Sequence, residues 1–235
     1  MNEKMKILYV ITARGGSRGI PRKNIKSLGG KPLIAYSVEL ARSLSADEDI
    51  CVSTDDEEII RVVEGLGLHV PFRRPAELSG DHSGSYEVLL HALDYYESIG
   101  RHYDVMVLLQ PTSPFRKESF VREALELYTP DIDMVVSVRA AASNPYYHCY
   151  KEGNDSFLQP VMGDVRFTRR QDAPPVWEHN GSIYVINTSS LRKMSLGEFT
   201  RCRKYVMDDM YSVDLDTLFD WKVAELLLRE KLVSL

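Results

Sequence analysis

Cysteine is scarce in this chain. Cys51, Cys149 and Cys202 are three residues in 235, odd in number and at no metal-like spacing, so neither a disulfide scaffold nor a zinc cluster is expected. Their sparing use fits a reducing, cytoplasmic compartment, and Cys51, inside an apolar run, reads as a core residue. The six histidines form no close pair, and Tyr147-His148-Cys149 alone does not make a His-based metal centre. No run of eighteen apolar residues occurs, so neither a transmembrane helix nor a membrane partner is expected. The apolar stretch after "MNEKMK" ends at Arg14 without a small-residue cleavage pattern, and reads as a buried strand and not as a signal peptide. Two familiar phosphate motifs are missing as well. The Walker pattern, started at Gly15, fails at its second glycine and its lysine, and the dinucleotide pattern G-x-G-x-x-G is absent. A hydride-transferring enzyme is therefore disfavoured. A net charge of -5 and a pI of about 5.7 leave no broad basic face, which argues against nucleic acid as a partner.

What is present is an alternation. Short runs rich in Val and Ile (7–12, 50–54, 105–110, 134–138, 182–186 and 204–207) are separated by amphipathic stretches at 32–44, 57–66, 85–99, 118–128 and 217–232. Continuously apolar strands between helical segments predict an α/β fold with a doubly wound, mostly parallel sheet, covered on both faces. The length suits one domain over 1–235. The interval 139–172 breaks the pattern: it is polar and aromatic without a clear helix, and carries the turn signal Glu152-Gly153-Asn154-Asp155. It reads as an insertion, either a lid or an arm packing on another subunit. Tyr146, Tyr147, Tyr150 and Phe157 require burial, which favours the arm.

The first strand runs into "TARGGSRGIPRKN", Thr12 to Asn24, where three glycines and four cations (Arg14, Arg18, Arg22 and Lys23) crowd thirteen residues of an acidic protein. A loop leaving a parallel strand lies at the carboxyl edge of the sheet, where ligands bind in such folds. Gly15, Gly16 and Gly19 allow positive φ and close backbone approach, so that amide N–H groups can form an anion nest with Ser17 and Asn24 beside it. Guanidinium and ammonium groups around the same space suit several negative charges close together, as in a triphosphate. Near the other end, Asp214 and Asp216 stand two apart in "SVDLDT". In an extended segment they project on one face, and two converging carboxylates call for a cation. Mg²⁺ bound jointly by carboxylate, phosphate and water oxygens fits; a helix cap before Thr217 is the alternative for Asp216.

The spacing A-R-G-G-S-R-G-x-P-x-K-N resembles the nucleotide-binding loop of the acylneuraminate cytidylyltransferases, the CMP-sialic acid synthetases and their relatives acting on other nonulosonic acids. The resemblance extends over nearly the whole chain through "STDDEEI", "RPAELSGDHSGS", "LLQPTSPFR", "HNGSIYV" and "SVDLDT", in that order. It implies a Rossmann-like nucleotidyltransferase in which the 139–172 insertion is a dimerisation arm of a homodimer. It also implies the reaction: CTP and an acidic nine-carbon α-keto sugar give the CMP-sugar and pyrophosphate by in-line attack of the anomeric hydroxyl on the α-phosphate. Arg14, Lys23, Asp214 and Asp216 take the catalytic roles, with Arg18 assisting and Asp214 and Asp216 as the family's metal-binding D-x-D. Arg74 and Ser85 match base-recognition residues, Gln110 the residue facing the sugar, Asn180 and Gly181 a sugar-pocket wall, and Arg170 the carboxylate-binding arginine.

The chain departs from the family pattern around the sugar. Tyr146 and Tyr147 follow Pro145 where many bacterial relatives carry a lysine, and Trp177-Glu178-His179 stands where several have an arginine before the N-G turn. Legionaminic or pseudaminic acid therefore stand beside N-acetylneuraminate as substrates, and a GTP-using subgroup makes guanine a further option. A sugar-1-phosphate nucleotidyltransferase and a catalytically silent nucleotide-binding protein are the readings from other classes.

Overall fold

Both faces of the central strands are apolar, and both are covered. The computed structural model describes residues 5–17, 19–80, 84–162, 167 and 169–235. Its strands are β1 (Ile7–Thr12), β2 (Ser27–Leu28), β3 (Lys31–Pro32), β4 (Ile50–Ser53), β5 (Val105–Leu109), β6 (Met134–Ala140), β7 (Tyr150–Glu152), β8 (Leu158–Pro160), β9 (Trp177–Asn187) and β10 (Cys202–Val206). Its α-helices are α1 (Leu33–Leu44), α2 (Glu57–Gly65), α3 (Ser85–Ser98), α4 (Glu118–Glu126), α5 (Thr188–Leu191) and α6 (Leu218–Arg229). Along β1, Tyr9 and Ile11 join one core cluster with Ile34 and Val38 of α1, Ile59 of α2 and Val121 of α4. The alternate residues Leu8 and Val10 join a second cluster with Leu89 and Leu93 of α3. This two-residue alternation is what a strand between two helical layers requires.

Six strands form one sheet in the order β10-β6-β9-β5-β1-β4, while β2–β3 and β7–β8 are separate two-stranded ladders. β1 pairs in parallel with β4 and β5, and β10 with β6. β9 runs antiparallel to both β5 and β6, and it is longer than the expected 182–186. The chain leaves β6 at the carboxyl edge, makes its excursion there and re-enters from the same edge, so the returning strand must point the other way. The excursion contains the β7–β8 hairpin, which leaves Tyr150, Phe157 and Leu158 exposed, Phe157 by 71%. Among the described residues no helix is long and apolar enough to cross a membrane.

A third apolar cluster joins the two ends of the chain. Ile20 of the opening loop packs with Leu33 of α1, Phe115, Leu215 and Trp221 of α6. These side chains are fully or almost fully buried, and at roughly 1.5–3 kcal/mol for each large side chain buried they pin residue 20 beside residue 215.

Candidate active site

The opening loop is held by short contacts. Its first residue after β1 continues the edge, Ala13 N donating to Ser53 O at 3.0 Å. Gly15 N donates to Asp55 Oδ1 at 3.1 Å, and the Asn24 side chain donates to Arg14 O at 3.0 Å. Of the two uses expected of these glycines, close approach holds at Gly15 and Gly19, whereas positive φ does not: none of Gly15, Gly16 and Gly19 is left-handed. A Cβ on Gly15 would lie 2.4 Å from Asp56 Oδ2 and one on Gly19 would lie 2.1 Å from Asp216 O, whereas Gly16 faces open space. The left-handed residue is Arg22, at φ 56°. Its guanidinium pairs with Asp56 Oδ2 at 2.7 Å and with Glu58. Arg22 is thus already committed to two carboxylates, which the sequence does not reveal. Ser17 N turns back onto Gly15 O at 3.1 Å, and Arg18 lies outside the described residues.

Lys23 brings the two ends of the sequence together. Its buried side chain places Nζ 2.6 Å from Leu215 O and 3.1 Å from Asp216 Oδ1, across 193 positions. Asp216 is exposed and Asp214 half-buried. The segment is not the extended strand expected, because Asp216 N folds back onto Asp214 O at 3.2 Å. Neither aspartate caps α6; Thr217 does, in a capping box with Asp220. Burial pushes the Asp214 carboxyl above the usual carboxylate range, and the negative charge of Asp216 adds to the rise against the lowering effects of Thr112 and Lys23. Among the described residues, buried Asp214 Oδ1 finds no hydrogen-bond partner. An orphaned carboxylate oxygen beside a second carboxylate fits a cation. Among the described residues no three His, Cys, Asp or Glu side chains form a ready cage, so such a cation would draw its remaining oxygens from ligand and water, as Mg²⁺ does.

A cavity of about 320 Å³ adjoins the loop, lined by Thr12, Arg14, Arg74, Leu78, Ser85 and Val88 among others. Arg14, Arg74 and Ser85, scattered in sequence, therefore share one wall. Arg74 is buried, donating to Ser79 Oγ at 3.1 Å and pairing with Asp55 at 3.4 Å. Ser85 is the first residue of α3; Gly84, not Ser85, occupies the cap position.

The residues expected to face the sugar gather around Gly181, at φ +70°, inside β9. Asn180-Gly181 is a bulge and not the turn its sequence signals. The β6–β9 register jumps from Val136↔Tyr184 to Val138↔His179 there. A Cβ on Gly181 would meet Ser113 Oγ at 3.0 Å, Gln110 Oε1 at 3.1 Å and Asp214 Oδ2 at 3.4 Å. Gln110 and the metal-type aspartate thus converge on one bare stretch of backbone. Asn180 is turned into the fold: it is buried, donates to Ser212 Oγ at 2.9 Å and accepts from Ser137 Oγ at 2.6 Å. Arg170 opens a short 3-10 turn, Arg170–Asp172, and its side chain lies outside what is described. Glu178, near the expected arginine position, pairs with Arg139.

Sequence reasoning missed two supports. Arg116 is buried, with no carboxylate partner among the described residues; it donates to Gln110 O at 2.9 Å, to Ser182 O at 2.8 Å and to Ser37 Oγ. Burial pushes its guanidinium down to about 9. Its arginine in "LLQPTSPFR" was visible, but nothing in a string marks a guanidinium as a buried strut. The second support is the pair Asp55 and Asp56, legible only as helix-capping chemistry. Together the groups form a cationic loop, a base-sized cavity and a paired carboxylate, with an open backbone patch between them: an arrangement for activating one oxygen against a nucleoside triphosphate.

Comparison with known proteins gives a family and a fold. A family profile described as cytidylyltransferase matches residues 8–220. The chain is 32% identical over 226 residues to the CMP-N,N'-diacetyllegionaminic acid synthase of Legionella pneumophila subsp. pneumophila, covering 95% of this chain and 97% of that one. It is 30% identical to the pseudaminic acid cytidylyltransferase of Campylobacter jejuni subsp. jejuni, covering 95% and 96%. It is 34% identical to the N-acylneuraminate cytidylyltransferase of Streptococcus agalactiae, covering 92% of this chain but 52% of that one. In fold it is similar to a CMP:2-keto-3-deoxy-manno-octonic acid synthetase solved with CTP, at a TM-score of 0.66 and 18% identity over 96% of this chain and 99% of that one. The chain belongs to the cytidylyltransferase family.

Proposed function

We propose that this cytidylyltransferase transfers CMP from CTP to an acidic nonulosonic sugar, releasing pyrophosphate, and that it works in the cytoplasm as a homodimer. The observation that carries the reading is the Lys23–Asp216 contact at 3.1 Å, which puts the phosphate loop and the carboxylate pair around one space. In the reaction the sugar's anomeric hydroxyl attacks the α-phosphorus in line, the new P–O bond forming as the α–β bridging P–O bond breaks. Arg14 and Lys23 hold and neutralise the phosphates, and Arg74 and Ser85 face the base across the adjoining cavity. Asp214 and Asp216 would hold a Mg²⁺, which when bound neutralises phosphate charge and lowers the pKa of a neighbouring hydroxyl. Gln110 meets the sugar beside Gly181, and Arg170 its carboxylate. The exposed Phe157 and Leu158 of the hairpin support the dimer, since apolar side chains exposed together mark a contact surface.

A legionaminate- or pseudaminate-type sugar is the favoured substrate within this class. The chain covers nearly the full length of those two relatives and about half of the N-acylneuraminate one, and Glu178 is already paired with Arg139 near the position where a sugar-binding cation was expected. The test is a matrix of four nucleoside triphosphates, GTP included, against several nonulosonic acids with Mg²⁺, read as pyrophosphate release. Turnover with CTP and one acidic sugar is expected. Release with GTP alone would overturn the base assignment, and no release with any pair would leave a nucleotide-binding protein.

A further inference from the structure

We propose that Asp55 and Asp56 are positioning residues of the nucleotide site, an acidic strap that sets the opening loop against the base cavity. The inference rests on the cytidylyltransferase reading above. Two carboxylates against a loop read as binding a triphosphate oppose the ligand's charge, so their presence beside Gly15 needs a reason. The reason lies in what each oxygen accepts. Asp55 Oδ1 takes Gly15 N at 3.1 Å and the Arg74 guanidinium at 3.4 Å, so one atom sets the span between phosphate loop and base cavity. Asp56 joins the start of α2 to Arg22. Its Oδ1 caps α2, taking Glu58 N at 2.9 Å and Ile59 N at 3.0 Å, and also takes Arg22 Nη2 at 3.4 Å, while Oδ2 takes Arg22 Nη1 at 2.7 Å.

Three further observations agree. Arg22 is held at φ 56°, a conformation a non-glycine residue keeps only where its surroundings enforce it. Gly15 lies directly on the carboxylate, with no room for a Cβ. The Arg22 guanidinium holds the Asp56 carboxyl below the usual range. The loop is therefore strapped to the rigid start of a helix before any nucleotide arrives, which spares the binding step the cost of ordering it.

The experiment is calorimetric titration of CTP with Mg²⁺, without sugar, into the full chain. Asp56→Asn keeps an oxygen for the α2 cap and removes the charge; Arg22→Gln leaves the cap untouched. Each is expected to weaken CTP binding about tenfold, the double variant no more than either single, and Arg22→Lys to recover most of the loss. Asp55→Asn is expected to weaken binding by a similar factor and to narrow the preference for CTP over UTP, because Arg74 loses its anchor. A merely structural role would lower the melting temperature without shifting that preference. CTP affinity within about twofold of the parent in Asp56→Asn and Arg22→Gln, or full additivity in the double variant, overturns the strap. A parent protein that binds no CTP overturns both the strap and the reading beneath it.

Discussion

Replacing Gly19 by alanine tests the central contact without removing any functional group. The added methyl would sit 2.1 Å from the backbone oxygen of Asp216. Real Cβ contacts essentially never fall below 3.0 Å, so loop and carboxylate segment must separate by about 0.9 Å. Both partners are backbone, and neither can swing aside as a flexible side chain would. Overpacking of this kind costs roughly 1–3 kcal/mol, or about 2–12 °C of melting temperature for a domain of this size. The kinetic effect is the larger one: a displacement near 1 Å between reacting groups costs on the order of 10²-fold in rate. The assay is pyrophosphate release with CTP, acidic sugar and Mg²⁺, run well below both melting temperatures. Gly65→Ala is the control. Gly65 ends α2 with open space around it, so activity should stand and stability should rise by up to about 1 kcal/mol. A folded Gly19→Ala protein with kcat/KM within about threefold of the parent would refute the claim that these two segments act as one site.

Further outcomes follow from single groups. Lys23→Ala removes the cation joining Leu215 O and Asp216, and should lower kcat by about 10²–10³-fold; near-parental kcat would refute its role. Asp214→Asn should abolish turnover yet raise the melting temperature at neutral pH. The fold disfavours the charged carboxyl there. The group's contribution to stability is therefore fully present below its unfolded value and lost as pH rises through the raised folded one. Melting curves of the two proteins should thus converge as pH falls below the ordinary value of 3.8. Gly16→Ala adds a methyl into open space, so it should leave stability alone and weaken CTP binding; unchanged affinity would mean that no ligand approaches there. Deleting 145–160 should convert a dimer to monomer and impair sugar use, and an unchanged elution volume would refute the arm.

Chemistry was easier to read from the string than direction. Lys23, Asp214 and Asp216 could be named because their residue types announce anion and cation binding, and the alternating apolar runs announced two covered sheet faces. The partners of Arg22 were hidden because one guanidinium looks like another until Asp56 and Glu58 are known from 34 and 36 positions away. The loop glycines were legible only as a choice for a related reason: a glycine serves positive φ or close approach, and only its neighbours in space decide which. Asn180-Gly181 has the composition of a turn, yet it is spent on a bulge, because the residues opposite on β6 require β9 to continue. In each case the missing information was a contact distant in sequence.

Those distant contacts also explain how so polar a site is held in place. Neither the loop nor the D-x-D segment belongs to the sheet, and the Lys23–Asp216 salt bridge between them involves an exposed Asp216 and contributes little by itself. What fixes their approach is the apolar cluster beneath, in which Ile20 and Leu215 are buried against Phe115 and Trp221. Ile20 is three residues from Lys23, and Leu215 lies between the two aspartates. The residues proposed for the chemistry are thus interleaved with the residues that do the packing. Placement of the charges follows from hydrophobic burial, and the Lys23–Asp216 pair reports that placement without having to produce it.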